Sequence, residues 1–216
     1  LCQRQILLVL KNPDSKIICT FIENSLPVSN MYISDKEFSS KDFRSGFDKG
    51  NYEYCIFKNC NLNGVDISET AFIDCEFIDC DLSMANINKS AFRNVKFISS
   101  KLLGLQFNEC NSMGLEFSLK DCIAHHCSFY QLKLQNSIFN NTEFMEADFA
   151  ESDLEGSTFS GCDFSLAQFD HSNLELCDFR NATNYIIDPQ TNRLKGAKFS
   201  REGLEGLVLG FGIEIV

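Results

Sequence analysis

The chain has 216 residues, of which 30 are acidic and 19 are lysine or arginine, so its formal net charge is −11. This length suits one domain or one elongated rod. No apolar run approaches the length of a membrane-spanning helix, and residues 5–10 are too short an apolar segment for a secretory signal. We therefore expect a cytoplasmic protein that does not bind membranes.

The first 37 residues show no short repeat. Residues 6–10 and 17–21 could form strands, with a turn at residues 12–14 between them. The open end of a stacked β-structure exposes unpaired strand edges. We expect this segment to cap the first turn of the structure that follows it.

From Phe38 onward a large apolar residue, here called a centre, recurs every fifth position, and a small residue usually stands two positions before it. This period is neither the ~3.6 residues of a helix nor the ~2 residues of a strand. Four such units make a square turn of about twenty residues, a solenoid-type repeat. Successive turns stack like β-strands, ~4.8 Å apart, so stability accumulates along one axis.

The period is interrupted soon after it begins. Tyr52 follows Phe43 by nine residues, one short of two repeats, which predicts a bulge or small loop over residues 44–51. A first long run of centres then extends from Tyr52 to Phe117. Ser112 is the polar exception in this run, and it predicts a weak turn.

A second interruption is predicted at residues 118–128, because Phe117 and Phe129 are twelve residues apart, two more than two repeats. This segment contains four residues of metal-binding types, namely Cys122, His125, His126 and Cys127. Their spacing matches no standard zinc motif. A two-residue kink between two stacks of turns is therefore favoured over a metal site, and we expect no cofactor.

The second long run of centres extends from Phe129 to Phe179 and has no polar member. Its later centres form the predicted structural core: Phe144, Phe149, Leu154, Phe159, Phe164, Phe169, Leu174 and Phe179. Five glycines stand two residues after a centre, at Gly64, Gly104, Gly114, Gly156 and Gly161. This position is the predicted corner of the turn, where glycine adopts unusual backbone angles without steric cost.

Most of the 11 cysteines follow the same period. Eight of them occupy the small inward position: Cys55, Cys60, Cys75, Cys80, Cys110, Cys127, Cys162 and Cys177. A buried free cysteine behaves as a small hydrophobic residue, and a cytosolic protein keeps it reduced. These cysteines are predicted to be structural, although Cys55 and Cys75 lie one turn apart and could approach disulfide distance.

The last 36 residues are predicted to form a terminal module. Residues 193–199 read as a short strand, and Ser200 as the N-cap of a short helix to about Leu209. The following apolar residues are too many for a free end, so they either cap the last turn or bury against a partner. The predicted dimerisation residues are Leu204, Leu207, Val208, Phe211, Ile213 and Ile215.

Negative charge is concentrated in residues 141–180, which hold ten acidic residues and one basic residue. Their net charge of −9 leaves −2 of the total −11 for the rest of the chain. Stacking residues twenty apart places Glu155 above Glu175 with Asp153 beside them, and Asp148, Glu151 and Asp170 on the neighbouring face. These six residues form the predicted partner-binding acidic surface. We find no nucleophile–base set or phosphate loop and expect no enzyme activity.

The units at residues 147–149, 152–156 and 162–164 resemble the repeat of the pentapeptide-repeat family, in which a small residue and Asp or Asn precede Leu or Phe. The resemblance implies an all-β fold, a right-handed quadrilateral β-helix. The predicted organisation is a non-repeat segment at residues 1–37, a β-helix at 38–180 and a capping or dimerisation module at 181–216.

The segment from Asp188 to Ile215 resembles the C-terminal module of family members related to quinolone resistance and microcin immunity. In those relatives this end makes a two-fold dimer, and the acidic rod mimics DNA and binds type II topoisomerases, chiefly DNA gyrase. The resemblance implies the same partner here, a homodimer, and no direct binding of nucleic acid. The alternative is a β-helical interaction scaffold with another partner, which would use the loops or residues 1–37.

Overall fold

The computed structural model describes residues 31–213 of the chain. Those residues form a solenoid of short parallel strands, which confirms the predicted quadrilateral β-helix. The eleven strands are β1 (Tyr32–Ser34), β2 (Glu37–Ser39), β3 (Asn51–Glu53), β4 (Ile56–Lys58), β5 (Ala71–Ile73), β6 (Glu76–Ile78), β7 (Ala91–Arg93), β8 (Val95–Ile98), β9 (Phe117–Lys120), β10 (Ile138–Asn140) and β11 (Thr158–Ser160). Four 3₁₀ turns cover Phe43–Ser45, Phe107–Glu109, Leu204–Leu207 and Leu209–Phe211.

The strands lie in two sheets on adjacent sides of the square coil. Face 1 carries the sheet β1-β3-β5-β7, and face 2 carries the longer sheet β2-β4-β6-β8-β9-β10-β11. Faces 3 and 4 follow along the chain, with centres such as Phe144 and Phe149 respectively. Phe57 pairs with Phe77, and Phe77 with Phe97, so these regular turns contain twenty residues as the sequence predicts.

The coil begins earlier than the predicted residue 38, because β1 pairs with β3 from Tyr32 onward. Tyr32 aligns with Asn51, nineteen residues later, so the first described turn is one residue short. The 3₁₀ turn at Phe43–Ser45, together with Phe47, accounts for the missing residue. The predicted strands at residues 6–10 and 17–21 lie outside the described residues.

Stacked aromatic rings fill the interior. Phe149 lies between Phe129 and Phe169, with ring centroids at 4.6 and 5.2 Å and nearly parallel planes. The eight residues of the predicted structural core are between 0% and 2% exposed. Burial of each such side chain stabilises the fold by about 1.5–3 kcal/mol.

The second interruption lies earlier than predicted. Phe97 pairs with Leu119 and Lys101 with Ile123, an offset of twenty-two residues, so the two extra residues precede Leu119. Residues 118–128 are therefore regular coil, and residues 111–116 form the irregular segment. Ser112 is exposed because serine cannot fill an apolar interior. Phe117 turns inward instead and stacks on Phe107 at 4.7 Å.

The five predicted corner glycines all adopt positive φ, between 66° and 73°, but glycine is not required at a corner. Most described corner residues with positive φ have side chains, including Leu166 at 59° and Leu176 at 61°. The Leu176 N–H donates to the Lys195 carbonyl of the next turn at 3.1 Å, which helps to hold this corner in the left-handed region. At some of the corner glycines the corner side chain of the preceding turn covers the backbone: a Cβ atom at Gly161 would lie 2.2 Å from Asn141 Oδ1.

The nine described cysteines are all free and buried, and Cys122 also occupies the small inward position. The Cys55 thiol donates to the Ile33 carbonyl at 3.6 Å, and the Cys75 thiol donates to the Tyr52 carbonyl at 3.4 Å. Burial raises the pKa of Cys75 to about 12. The Cys75 thiol therefore stays protonated, as expected for a packing residue.

The coil continues beyond the predicted boundary at residue 180. Phe199 stacks on Phe179 at 5.3 Å, and Lys198 pairs with Asp178. The predicted helix is confined to the two final 3₁₀ turns. Ser200 Oγ accepts from the Gly203 N–H at 3.1 Å, but the N-cap of the first of these turns is Gly203, not Ser200 as the sequence predicts. None of the helical segments in residues 31–213 is long and apolar enough to cross a membrane.

Candidate acidic binding surface

The repeat itself places the six predicted acidic residues on the outside of faces 4 and 1. Asp148 directly precedes the centre Phe149 on face 4, and Asp153 directly precedes Leu154 on face 1. Since each centre points inward, the residue before it points outward. The corner between the two faces is Glu151, with φ of 56°.

The register brings these six side chains together across two turns. The Gly156 N–H donates to the Glu175 carbonyl at 2.9 Å, which places Glu155 and Glu175 at equivalent positions of adjacent turns. The Glu151 N–H donates to the Asp170 carbonyl at 2.8 Å. Glu151 and Asp170 are exposed and the other four residues are half-buried.

Neighbouring amides hold the half-buried carboxylates in place. Asn173 Nδ2 donates to Asp153 Oδ1 at 2.7 Å and lies 3.4 Å from Glu155 Oε2. Asp148 Oδ1 accepts from the Ala150 N–H at 2.9 Å. These bonds fix the direction in which the carboxylates face, so the surface is a rigid arrangement of negative charge.

Glu151 is stabilised in its charged form. Gln131 Nε2 donates to it at 2.7 Å and the Tyr130 hydroxyl at 3.1 Å. The hydrogen bond from Gln131, and then that from Tyr130, lowers the pKa of this carboxyl below its usual value. The corner of the acidic surface therefore remains ionised at neutral pH.

Basic residues bound the acidic surface at both ends, a feature that the sequence analysis missed. Arg193 Nη2 lies 3.0 Å from Glu175 Oε1, and Lys133 pairs through its backbone with Asp153 on the other side. Arg193 falls outside residues 141–180 and was not counted with them. Reading the sequence in steps of twenty would have placed it beside the acids.

The remaining acids of residues 141–180 do not join this surface. Glu143 and Glu146 lie on face 3, where their carboxylates are 2.9 Å from His125 Nε2 and 3.3 Å from His126 Nδ1. On face 2, Asp178 binds Arg180 at 2.6 Å. The ten acids therefore form one surface of six residues, in which Glu175 is paired with Arg193, and a set of locally paired side chains elsewhere.

The alternative metal site is not assembled. The thiols of Cys122 and Cys127 point into the interior and donate to the carbonyls of Phe97 and Leu102, whereas the two histidines face outward. Among residues 31–213, no group of three or more His, Cys, Asp or Glu side chains is placed to hold a metal ion.

The terminal module exposes much of its apolar surface. Leu204, Phe211 and Ile213 are 50%, 48% and 53% exposed, Leu207 and Val208 are half-buried, and Ile215 lies outside the described residues. The module docks on Tyr185, where the Ile187 N–H donates to the Gly206 carbonyl at 2.9 Å. The exposed side chains leave an apolar surface at the end of the rod.

A groove of about 770 Å³, lined by both polar and apolar residues, adjoins this end. Leu166 and Ile186 contribute to it and are 66% and 49% exposed. Neither residue was predicted from the sequence. Leu166 occupies a corner position that is usually polar. Together with the terminal module, they extend the apolar end surface onto face 3.

Two family models match the chain. One is described as "Pentapeptide repeat region" and matches residues 49–122; the other, "Pentapeptide repeats (8 copies)", matches residues 127–165. Together they cover about half of the sequence. No curated protein matches it.

Several solved structures are similar in fold. A trypsin-treated variant of QnrB1, a plasmid-mediated fluoroquinolone resistance protein, is 20% identical, with a TM-score of 0.56 over 86% of this chain and 100% of its own. A second trypsin-treated variant of QnrB1 is also 20% identical, with a TM-score of 0.53 over 85% of this chain and 99% of its own. HetL from the cyanobacterium Nostoc sp. strain PCC 7120 is 15% identical, with a TM-score of 0.43 over 79% of this chain and 88% of its own. The repeat, the square coil and the family models agree, and the chain belongs to the pentapeptide-repeat proteins.

Proposed function

We propose that this protein is a DNA mimic that binds a type II topoisomerase, with DNA gyrase as the leading candidate, and protects it from quinolones or peptide toxins. The observation that supports this proposal is the fixed surface of six carboxylates on faces 4 and 1. Duplex DNA carries one negative charge per ~1.7 Å of its axis. A rod whose turns repeat every ~4.8 Å and carry several carboxylates each offers a comparable charge density.

The mode of binding follows from the charge and rigidity of this surface. A protein groove built for DNA presents lysine and arginine side chains to phosphates. Carboxylates held by Asn173 and Gln131 can meet the same side chains without first being ordered, which reduces the entropy cost of binding. Because the surface repels phosphates, the protein itself would not bind nucleic acid. Its place of action would be the cytoplasm, where topoisomerases meet DNA.

Dimerisation through the C-terminal end would extend the mimic. Leu204, Phe211 and Ile213 leave an exposed apolar surface at the end of the rod, of the kind that a two-fold interface buries. Two rods joined end to end present two acidic surfaces related by the same axis. A gate or groove that binds a long, symmetric DNA segment could then engage both copies.

A gyrase supercoiling assay with and without ciprofloxacin tests this proposal. Purified wild-type protein is expected to inhibit supercoiling or to rescue it from the drug at low micromolar concentration. The variant Glu151→Lys/Glu155→Lys should lose the effect, since it reverses two charges of the acidic surface. The matched control Asp35→Lys/Glu37→Lys makes the same charge change at the other end of the rod and should retain it.

Two outcomes contradict the proposal. One is a folded wild-type protein without effect on either gyrase or topoisomerase IV. The other is an equal effect of wild type and the Glu151→Lys/Glu155→Lys variant, which would show that the acidic surface is not the contact.

A further inference from the structure

The irregular segment at residues 111–116 leaves a gap in face 1. The sheet of this face ends at β7, whereas the sheet of face 2 continues through β8, β9 and β10. The N–H groups of Asn111 and Glu116 bond to the carbonyls of Ser90 and Phe92, both at 2.9 Å. The segment thus provides hydrogen-bond donors for carbonyl groups on the β7 side of the gap. It does not form a regular strand beneath the next turn.

The opposite side of the gap has an unused backbone donor. On the two following turns, the residue before each face 1 centre donates its N–H to the preceding turn, Asp153 to Leu132 and Asn173 to Ser152, both at 2.8 Å. Lys133 occupies the same position one turn earlier. No hydrogen bond among residues 31–213 uses its N–H.

Two carbonyl acceptors on the same edge are also unused. The carbonyls of Asp153 and Glu155 accept from the N–H groups of Leu134 and Asn136 at 2.7 and 2.8 Å. Those of Lys133 and Gln135, one turn earlier, accept no hydrogen bond within the described part of the chain. The edge therefore presents one donor and two acceptors in the arrangement that a neighbouring strand would satisfy.

A cleft of about 490 Å³ opens along this edge, a size typical of ligand sites. Its walls include Leu115, which is half-buried, and Ile138, which is 54% exposed. Lys133 supplies a positive charge that has no carboxylate within 4.0 Å among residues 31–213, and Glu116 lies in the lining with it. The cleft thus combines strand-pairing groups, two aliphatic contacts and a cation.

We propose that this cleft binds an extended peptide segment of a partner protein, which adds as a strand to the edge at Lys133–Gln135. The peptide's main chain would bond to the Lys133 N–H and to the carbonyls of Lys133 and Gln135, as in other strand-addition complexes. An aliphatic side chain of the peptide would contact Leu115 and Ile138, and an aspartate or glutamate would pair with Lys133. This site adjoins the acidic surface one turn away, since Lys133 pairs through its backbone with Asp153, but it uses a different set of groups.

A random peptide library displayed on phage, panned against the full chain, supplies the probe. The best selected peptide is synthesised, and its dissociation constant is measured for wild type and for Lys133→Glu. Lys101→Glu is the matched control, because Lys101 also directly precedes a centre but donates its own N–H to Cys80 at 2.9 Å. A third variant closes the cleft by deleting residues 113 and 114 with Ser112→Leu and Phe117→Val, which restores a twenty-residue turn.

We expect the selected peptides to contain an acidic residue and to bind wild type and Lys101→Glu alike. Binding should be at least tenfold weaker for Lys133→Glu and absent for the closed variant, and the Lys133 amide should gain protection from hydrogen exchange. Failure to select any peptide, or equal binding by wild type and Lys133→Glu without protection of this amide, would overturn the proposal. Lys133→Glu changes only an exposed side chain, so the test does not depend on folding of the closed variant.

Discussion

Phe149→Ala tests the packing of the interior most sharply. Phe149 is fully buried, stacks on Phe129 and Phe169 at 4.6 and 5.2 Å, and meets the edge of Phe144 at 5.3 Å. A buried phenylalanine truncated to alanine typically loses ~3–5 kcal/mol. The upper part of this range is expected because four ring contacts are lost, including the edge contact with Phe164 at 5.9 Å, and parallel rings above and below hinder collapse of the cavity.

Urea unfolding followed by circular dichroism gives the change in the free energy of unfolding. Gln168→Ala is the control, because Gln168 is exposed and lies beside the next centre, and it should change stability by less than ~0.5 kcal/mol. Hydrogen exchange should locate the loss in the turns around residue 149, since each turn of a solenoid contacts only its neighbours. A loss below ~1 kcal/mol in Phe149→Ala would mean that the register of the interior is wrong.

Four further predictions follow from the structure. Gly161→Ala should lower the melting temperature, and Asn141→Ala in the same chain should recover part of the loss, because Asn141 covers Gly161. The part that is not recovered comes from the positive φ of 70° at residue 161, which strains alanine. Burial opposes ionisation of Asp163, but hydrogen bonds from Asn184 and Ser165 lower its pKa overall. The charged Asp163 should therefore stabilise the fold above the ordinary aspartate pKa, and this stabilisation should be lost as the pH falls through the lowered pKa. In urea titrations at several pH values, Asp163→Asn should show a weaker loss of stability in acid than wild type. Leu204→Glu/Phe211→Glu should be monomeric by analytical ultracentrifugation at concentrations where wild type is a dimer, and a wild-type monomer would remove the proposed interface. The buried thiols, with the pKa of Cys162 and of Cys177 raised by burial to about 12, should react with Ellman's reagent only on unfolding; fast reaction of the native protein at the described cysteines would contradict their inward placement.

The sequence is sufficient to predict the coil because its period is strict. A centre at every fifth position, such as Phe149 or Leu154, can be buried each time only by a turn of four units. The same period places Glu155 and Glu175 on adjacent turns, and the structure aligns them there. The fold and the grouping of the six acids therefore follow from a count of positions.

The second interruption could not be placed correctly from the period alone. Phe117 lies five residues after Ser112 and so continues the first run in the sequence, yet Leu119 takes the place above Phe97. Any large apolar residue can fill the interior where a serine leaves space, and Phe117 does so from the first position of β9. Placement of the break required the pairing between turns, which spans about twenty residues of sequence.

The pairing of acidic with basic side chains also could not be predicted from neighbouring positions in the sequence, because the partners are far apart along the chain. Arg193 and Glu175 are eighteen residues apart and meet because they lie on adjacent turns. A window of consecutive residues counts Glu175 among the acids and leaves its partner outside. Surfaces of a solenoid are columns of residues one turn apart, so their charge has to be read down the columns.

Direct binding to gyrase tests the central proposal, that the acidic surface occupies a DNA site. Immobilised gyrase holoenzyme would be titrated with wild type and with Glu151→Lys/Glu155→Lys, at several salt concentrations and with competing linear DNA. We expect wild type to bind, duplex DNA to displace it, added salt to weaken its affinity, and the variant to bind at least tenfold more weakly. Binding that persists unchanged in the presence of saturating DNA, or that the two charge reversals leave intact, would contradict DNA mimicry.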